Sequence, residues 1–321
     1  MKKTKILCII AAAITVLGLL TAFASLLLVD FDFNRFSGSS TQTNIHEFTE
    51  TIENISIDTT TADIRFEKSE DHVCRVVCKE TENFYHTTSL ENGTLTLKLT
   101  KTKKWYQKIG IFSGVNNSIT VYLPENHYQT LTVQASTGDV TIPKEFSFAS
   151  IRVHVSTGDI TCSASATDSI DLKVSTGDIT ASNLSANQFK GDASSGDITL
   201  RNIKIGKDVT LETNTGTIIV TDLQAVSLSA KSTTGSQTYT NLLLSASLTA
   251  TASTGDIIFD RSDAVALTIE TSTGDVMGTL LSSKIFYANT STGDVKLPHS
   301  TSGGLCEITT NTGDIKLSIA K

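Results

Sequence analysis

Five cysteines in 321 residues are too few and too badly placed for a disulfide framework. Cys8 lies in an apolar N-terminal run, while Cys74 and Cys78, on one strand-like stretch, would have Cα atoms about 13 Å apart, beyond the reach of a bridge. Cys162 and Cys306 fall in apolar columns, where a small buried side chain is ordinary. No nucleophile elbow, phosphate loop or metal-ligand spacing is present, and the six histidines are scattered, none beside a second ligand at useful spacing. An excess of positive charge is missing too: the net charge is −7, which argues against nucleic acid as a partner. These absences imply no enzyme chemistry and no cofactor.

What the chain has instead is repetition. Ser136-Thr-Gly-Asp-Val140 returns with its glycine at 138, 158, 177, 196, 216, 235, 255, 274, 293 and 313, always 19 or 20 residues on. A fixed period of that size marks stacked repeats. Seven residues before each glycine stands an uncharged column (Leu131, Ile151, Ile170 and onward). A second lies five before (Val133, Val153, Leu172), and Ala, Val, Thr or Ser lies three before. Val or Ile stands two after the glycine except at Gln237, and a further apolar corner falls seven after, at Leu184, Ile203, Leu223, Leu242 and Leu281. Apolar residues at every second position, rich in β-branched types, are strands with one buried face. Like columns at like offsets predict an all-β, single-domain β-solenoid of about ten coils, stacked about 4.8 Å apart.

The glycines (Gly138, Gly158, Gly177, Gly196, Gly216, Gly235, Gly255, Gly274, Gly293, Gly313) supply the positive φ of the corner. The residue after each is acidic in eight copies, Asp139, Asp159, Asp178, Asp197, Asp256, Asp275, Asp294 and Asp314, and is Thr217 or Ser236 in the others. Stacked carboxylates are candidate cation ligands. However, Ca²⁺ needs six to eight oxygens and its known solenoids use a nonapeptide with paired glycines. Thr217 and Ser236 keep an oxygen and lose the charge, so capping of the turn is the expected role.

Ahead of the repeats, residues 1–5 carry three lysines and Ile6 to Val29 is free of charge, followed at once by Asp30 and Asp32. That run is long enough to span a bilayer, with residues 1–5 cytoplasmic and the repeats outside. A cleaved signal at Ala22-Phe-Ala24, giving a secreted protein, is the alternative. Residues 30–44 are a polar linker and 45–130 an irregular N-terminal β cap, with 131–321 the solenoid proper. In the cap, Thr59-Thr-Thr-Ala-Asp63 resembles a first copy of the corner without its glycine. The one basic and aromatic stretch, with Lys103, Lys104, Trp105, Tyr106 and Lys108, is a candidate surface contact or a loop folded over the cap.

The strand Ile119-Thr-Val-Tyr-Leu-Pro124 and the serial copies beginning at Val133-Gln-Ala-Ser-Thr-Gly-Asp-Val140 resemble the DUF4097 family over Ile52 to Lys321. The resemblance implies a bacterial surface β-solenoid, labelled an adhesin by inference, with no catalytic residues to carry over. Three readings follow. The first is a membrane-anchored structural or interaction module that touches wall polymer, an envelope protein or a second copy of itself. The second is a carbohydrate-active enzyme on a pectate-lyase-like β-helix, against which a spacing that never varies by more than one residue leaves no room for groove-walling insertions. The third is a cation-dependent surface-binding module. Glu307 to Ala320 reads as the last coil with nothing after it, so weak self-association through this C-terminal coil is expected, with Lys316 and Lys321 guarding the edge.

Overall fold

The computed structural model describes residues 14–18, 21, 41–81, 84–101 and 117–320. Residues 14–18 and 21 are helical, and no helix among the described residues is long and apolar enough to cross a membrane. From Thr41 to Ile319 the described chain is strand and corner.

The apolar alternation sets the architecture. In His127–Thr137 the side chains of Leu131, Val133 and Ala135 are buried while Thr130 and Gln134 face out. This strand pairs in parallel with Ser147–Thr157, which pairs in turn with Ser165–Thr176, so that Ile151 lies between Leu131 and Ile170 and Val153 between Val133 and Leu172. Each buried residue therefore meets its own equivalent in the next coil, and one continuous core runs from Ile52 to Leu317. The expected all-β solenoid is what forms. Outward positions carry coil-to-coil ion pairs such as Lys173 to Asp192 at 2.6 Å, which at an exposed surface contribute little.

A second corner lies six residues after the glycine, where Asn183, Asn202, Asp222, Asn241 and Arg261 all adopt positive φ. Asn and Asp tolerate that conformation better than other side chains. They also ladder, Asn202 donating to Asn183 at 2.8 Å and Asn241 to Asp222 at 2.9 Å. In the Gly274 coil the expectation fails by one residue: Leu281 is exposed, and Leu280, paired with Ser262, takes the interior position. The odd Gln237 is buried in a closed network. Its Nε2 donates to Ser232 Oγ and the Thr251 carbonyl, and its Oε1 accepts from Tyr239 Oη at 2.6 Å.

The N-terminal end is built differently. Its strands are β1 (Thr41–Phe48), β2 (Asn54–Thr61), β3 (Asp63–Lys68), β4 (Cys74–Thr81), β5 (Phe84–Glu91), β6 (Thr94–Lys101) and β7 (Ser118–Leu123). Pairing thus begins at Thr41, inside the stretch read from the sequence as linker. β2 and β3 form a true coil, parallel to His127–Thr137 and Val140–Ile142, and β6 and β7 stack on it in parallel. The next layer reverses: β5 runs antiparallel to β6 and β4 antiparallel to β7, with β1 antiparallel outside β4.

At the other end the chain does not stop in sequence order. Gly304–Thr312 pairs on one side with residues Leu267–Thr273 of the Gly274 coil and on the other with Lys284–Thr292. The stack order is therefore Gly274, Gly313, Gly293: the last coil in sequence is inserted beneath the one before it. The expectation that residues 307–320 leave the open edge is corrected. The open edge belongs to Lys284–Thr292 and Val295–Lys296, and Lys316 is paired on both sides, to Met277 and Lys296. Gly303 and Gly304 admit the inserted chain, since a Cβ on Gly304 would stand 1.7 Å from the Val265 carbonyl oxygen and one on Gly303 1.8 Å from that of Ser283.

Candidate functional site

Three places merit a functional reading: the aspartate ladder, the open end and a polar cluster inside the cap. The aspartates of the ladder lie on one corner edge, and in seven of the eight, all but Asp294 at the end of the stack, Oδ1 accepts the backbone N–H of the residue after the glycine in the next coil. Asp139 Oδ1 takes the Asp159 amide at 2.9 Å, Asp159 that of Asp178, Asp178 that of Asp197 and Asp197 that of Thr217, the last three at 2.7 to 2.8 Å. Asp256 takes Asp275, Asp275 takes Asp314 and Asp314 takes Asp294, in stack order rather than chain order. Ser236 keeps the role with its hydroxyl at 3.2 Å from the Asp256 amide. The carboxylates thus cap across coils, not within one turn as the sequence suggested. Asp63 of β3 begins the series by accepting from Asp139, so the glycine-free corner is a functioning first copy.

The corner glycine is required twice over. Gly216 has φ 149°, and a Cβ there would lie 2.0 Å from the Gly196 carbonyl oxygen. Three residues before the glycine, Thr213, Thr271 and Thr310 point their hydroxyls at a neighbouring corner's glycine carbonyl, at 3.0 to 3.2 Å. With one carboxylate oxygen of every ladder aspartate but Asp294 spent on an amide, the geometry is that of a corner cap. Asp314 is held below the usual carboxylate range by the Asp294 amide and then by Lys316.

At the open end, the coil Lys284–Lys296 closes its interior incompletely. Phe286, Ala288 and Leu297 are only partly buried, Val295 is 46 % exposed, and Tyr287 is exposed beside them. Leu243, Val265, Leu281, Ile285 and Leu305, all exposed, stand in the same last part of the stack.

The cap holds what the sequence reading missed. Cys78 and Glu80 share the inward face of β4, and His86 reaches them from β5; one ligand atom from each lies within 4.8 Å of the others, and all three residues are buried. His86 Nδ1 is 2.8 Å from Glu80 Oε2, which also accepts the His86 N–H, and His86 Nε2 is 2.8 Å from Thr59 Oγ1. Asn44 Nδ2 of β1 donates to the other Glu80 oxygen at 2.6 Å. A histidine does therefore pair with further ligand atoms, contrary to the sequence expectation. Burial, and after it the charge of Glu80, push the Cys78 thiol up to about 12. Cys74, Cys162 and Cys306 are buried free thiols, also raised to about 12 by burial, which makes them poor nucleophiles. Lys103, Lys104, Trp105, Tyr106 and Lys108 lie outside the described residues.

A family profile described as Toastrack DUF4097 matches residues 52–264 and 206–321. The chain is a member of the Toastrack family. Among solved structures, a putative lipid binding protein from Parabacteroides distasonis matches 86% of this chain and 97% of its own, at 15% identity and TM-score 0.48. A putative adhesin from the same organism matches 86% and 97% at 13% identity and TM-score 0.47. One from Bacteroides fragilis matches 87% and 98% at 16% identity and TM-score 0.41. No curated protein matches the sequence.

Proposed function

We propose that this Toastrack chain is a membrane-tethered, extracytoplasmic rod, a non-catalytic interaction module that makes its contact through the uncovered end of its stack. In this reading the charge-free run Ile6 to Val29 is the tether, its N-terminus cytoplasmic, because lysines precede it and acids follow. Wall polymer and envelope proteins are the contacts within reach of such a rod. The observation that carries the reading is the incomplete burial of Phe286, Ala288, Val295 and Leu297, which belong to the columns that are closed in the coils below.

The occupant that fits this end is the same end of a second copy. It offers a matching core cross-section, and an antiparallel layer over a parallel coil is how β4 and β5 already close the opposite end. A nine-residue strand about 30 Å long and walls about 10 Å apart plus side chains give a face of roughly 600 Å², or about 1,200 Å² in total. That sits at the low limit of specific interfaces, so association is weak. Sedimentation of the full chain in mild detergent should show a concentration-dependent dimer that Ala288→Lys abolishes without lowering the melting temperature by more than a few degrees. A strict monomer at the highest concentration removes self-association. A pull-down from intact envelope, with and without chelator, then separates protein from polymer contact.

A further inference from the structure

We propose that the N-terminal cap binds one divalent transition metal of the zinc class, with Cys78 Sγ, Glu80 Oε2 and His86 Nδ1 as ligands. The three atoms already lie within 4.8 Å of one another in a closed interior. Tetrahedral zinc with bonds of about 2.0 to 2.3 Å holds its ligand atoms somewhat over 3 Å apart, so the 2.8 Å contact of His86 with Glu80 has to open by about half an ångström while the Cys78 sulfur settles at a similar spacing. One sulfur, one nitrogen and one carboxylate oxygen form a mixed set that suits zinc or cobalt and not the all-oxygen shells of Ca²⁺ or Mg²⁺.

A further observation points the same way. The outer partners stand where a zinc site needs them: Thr59 Oγ1 on the far nitrogen of His86 and the Asn44 amide on the second oxygen of Glu80. Charge agrees as well. A divalent ion with one thiolate, one carboxylate and one neutral imidazole is a neutral centre, which a closed interior favours over a charged one. On binding, the Cys78 thiol proton and any proton on His86 Nδ1 leave as the metal–ligand bonds form.

The full chain, stripped with chelator and titrated with Co²⁺ in mild detergent, tests the site. One equivalent should bind with a thiolate-to-cobalt charge-transfer band, zinc should displace it, and zinc should raise the melting temperature. Cys78→Ser should lose the band, and Glu80→Gln, which keeps size and acceptor, should weaken binding. Thr59→Val should weaken it about 10- to 100-fold while leaving the band's shape. A folded wild-type chain with no band overturns the proposal, as does binding undiminished in both Cys78→Ser and Glu80→Gln, which would mark adventitious surface sites.

Discussion

The two ends of the stack solve one problem in opposite ways. At the N-terminal end the parallel coils are closed by a reversed layer, β4 and β5, and then by β1, and the residues beneath are fully buried: Leu95, Leu97, Ile119 and Val121 are at most 1 % exposed. At the C-terminal end no reversed layer appears among the described residues, and Val295, two after the corner glycine, is 46 % exposed where Val140 and Ile160 in the same column are closed. A solenoid coil has no face of its own that water tolerates, so an end is either covered or available. The contrast places a buried polar cluster under a covered end and partly open core columns at the other.

Both ends also share a device. β2 and β3 precede β6 and β7 in the chain but lie beneath them, and the Gly313 coil follows the Gly293 coil but lies beneath it. Each terminal layer is thus laid over a coil that comes from elsewhere in sequence, which ties the end down with a crossing connection.

The sharpest way to break this picture is at the repeat itself. Gly216→Val places a β-branched side chain at φ 149° and onto the Gly196 carbonyl, and should cost well over 4 kcal/mol, abolishing the cooperative melt. Asp256→Asn keeps an acceptor for the Asp275 amide, and should cost under about 1 kcal/mol. Comparable losses would sink the cross-coil capping account. Next comes truncation after Ser300. Because the Gly313 coil is interior, its removal should also strip amide protection from Lys284–Thr292, read by hydrogen exchange; a strand in simple sequence order would keep it.

A smaller effect sharpens the covered end. Asp71, in the turn between β3 and β4, is held down to about 2 by Arg75 first, then by Ser69 and the Val73 amide. A depressed carboxylate stabilises the fold above its unfolded value near 3.8, and that contribution disappears as pH falls through about 2. The melting-temperature gap between wild type and Asp71→Asn should therefore be present at pH 5 and close toward pH 2.

Strands, corner glycines and core columns were legible in the sequence because a period of 19 or 20 residues repeats each of them ten times. The corner at Asn183, Asn202, Asp222, Asn241 and Arg261 was not, since three residue types share it and only backbone dihedrals reveal the common conformation. Stack order was hidden for a physical reason: coils with the same apolar columns fit any neighbour, so the pattern does not encode which lies on which. The usable signals were the doubled Gly303-Gly304 and Pro298, outside the ordinary corner. For the cap cluster the signal was Glu80, an acid on the inward parity of Cys74, Val76 and Cys78. His86 could be joined to it only by the reversal of β5.

The most direct test is hydrogen exchange along the full chain at the far end. The amides of Gly304–Thr312, sealed between two coils, should exchange as slowly as those of Leu267–Thr273, while Lys284–Thr292, with one side unpaired, exchanges markedly faster. Slow exchange in Lys284–Thr292 with fast exchange in Gly304–Thr312 would contradict the inserted last coil and return the open edge to the chain's end.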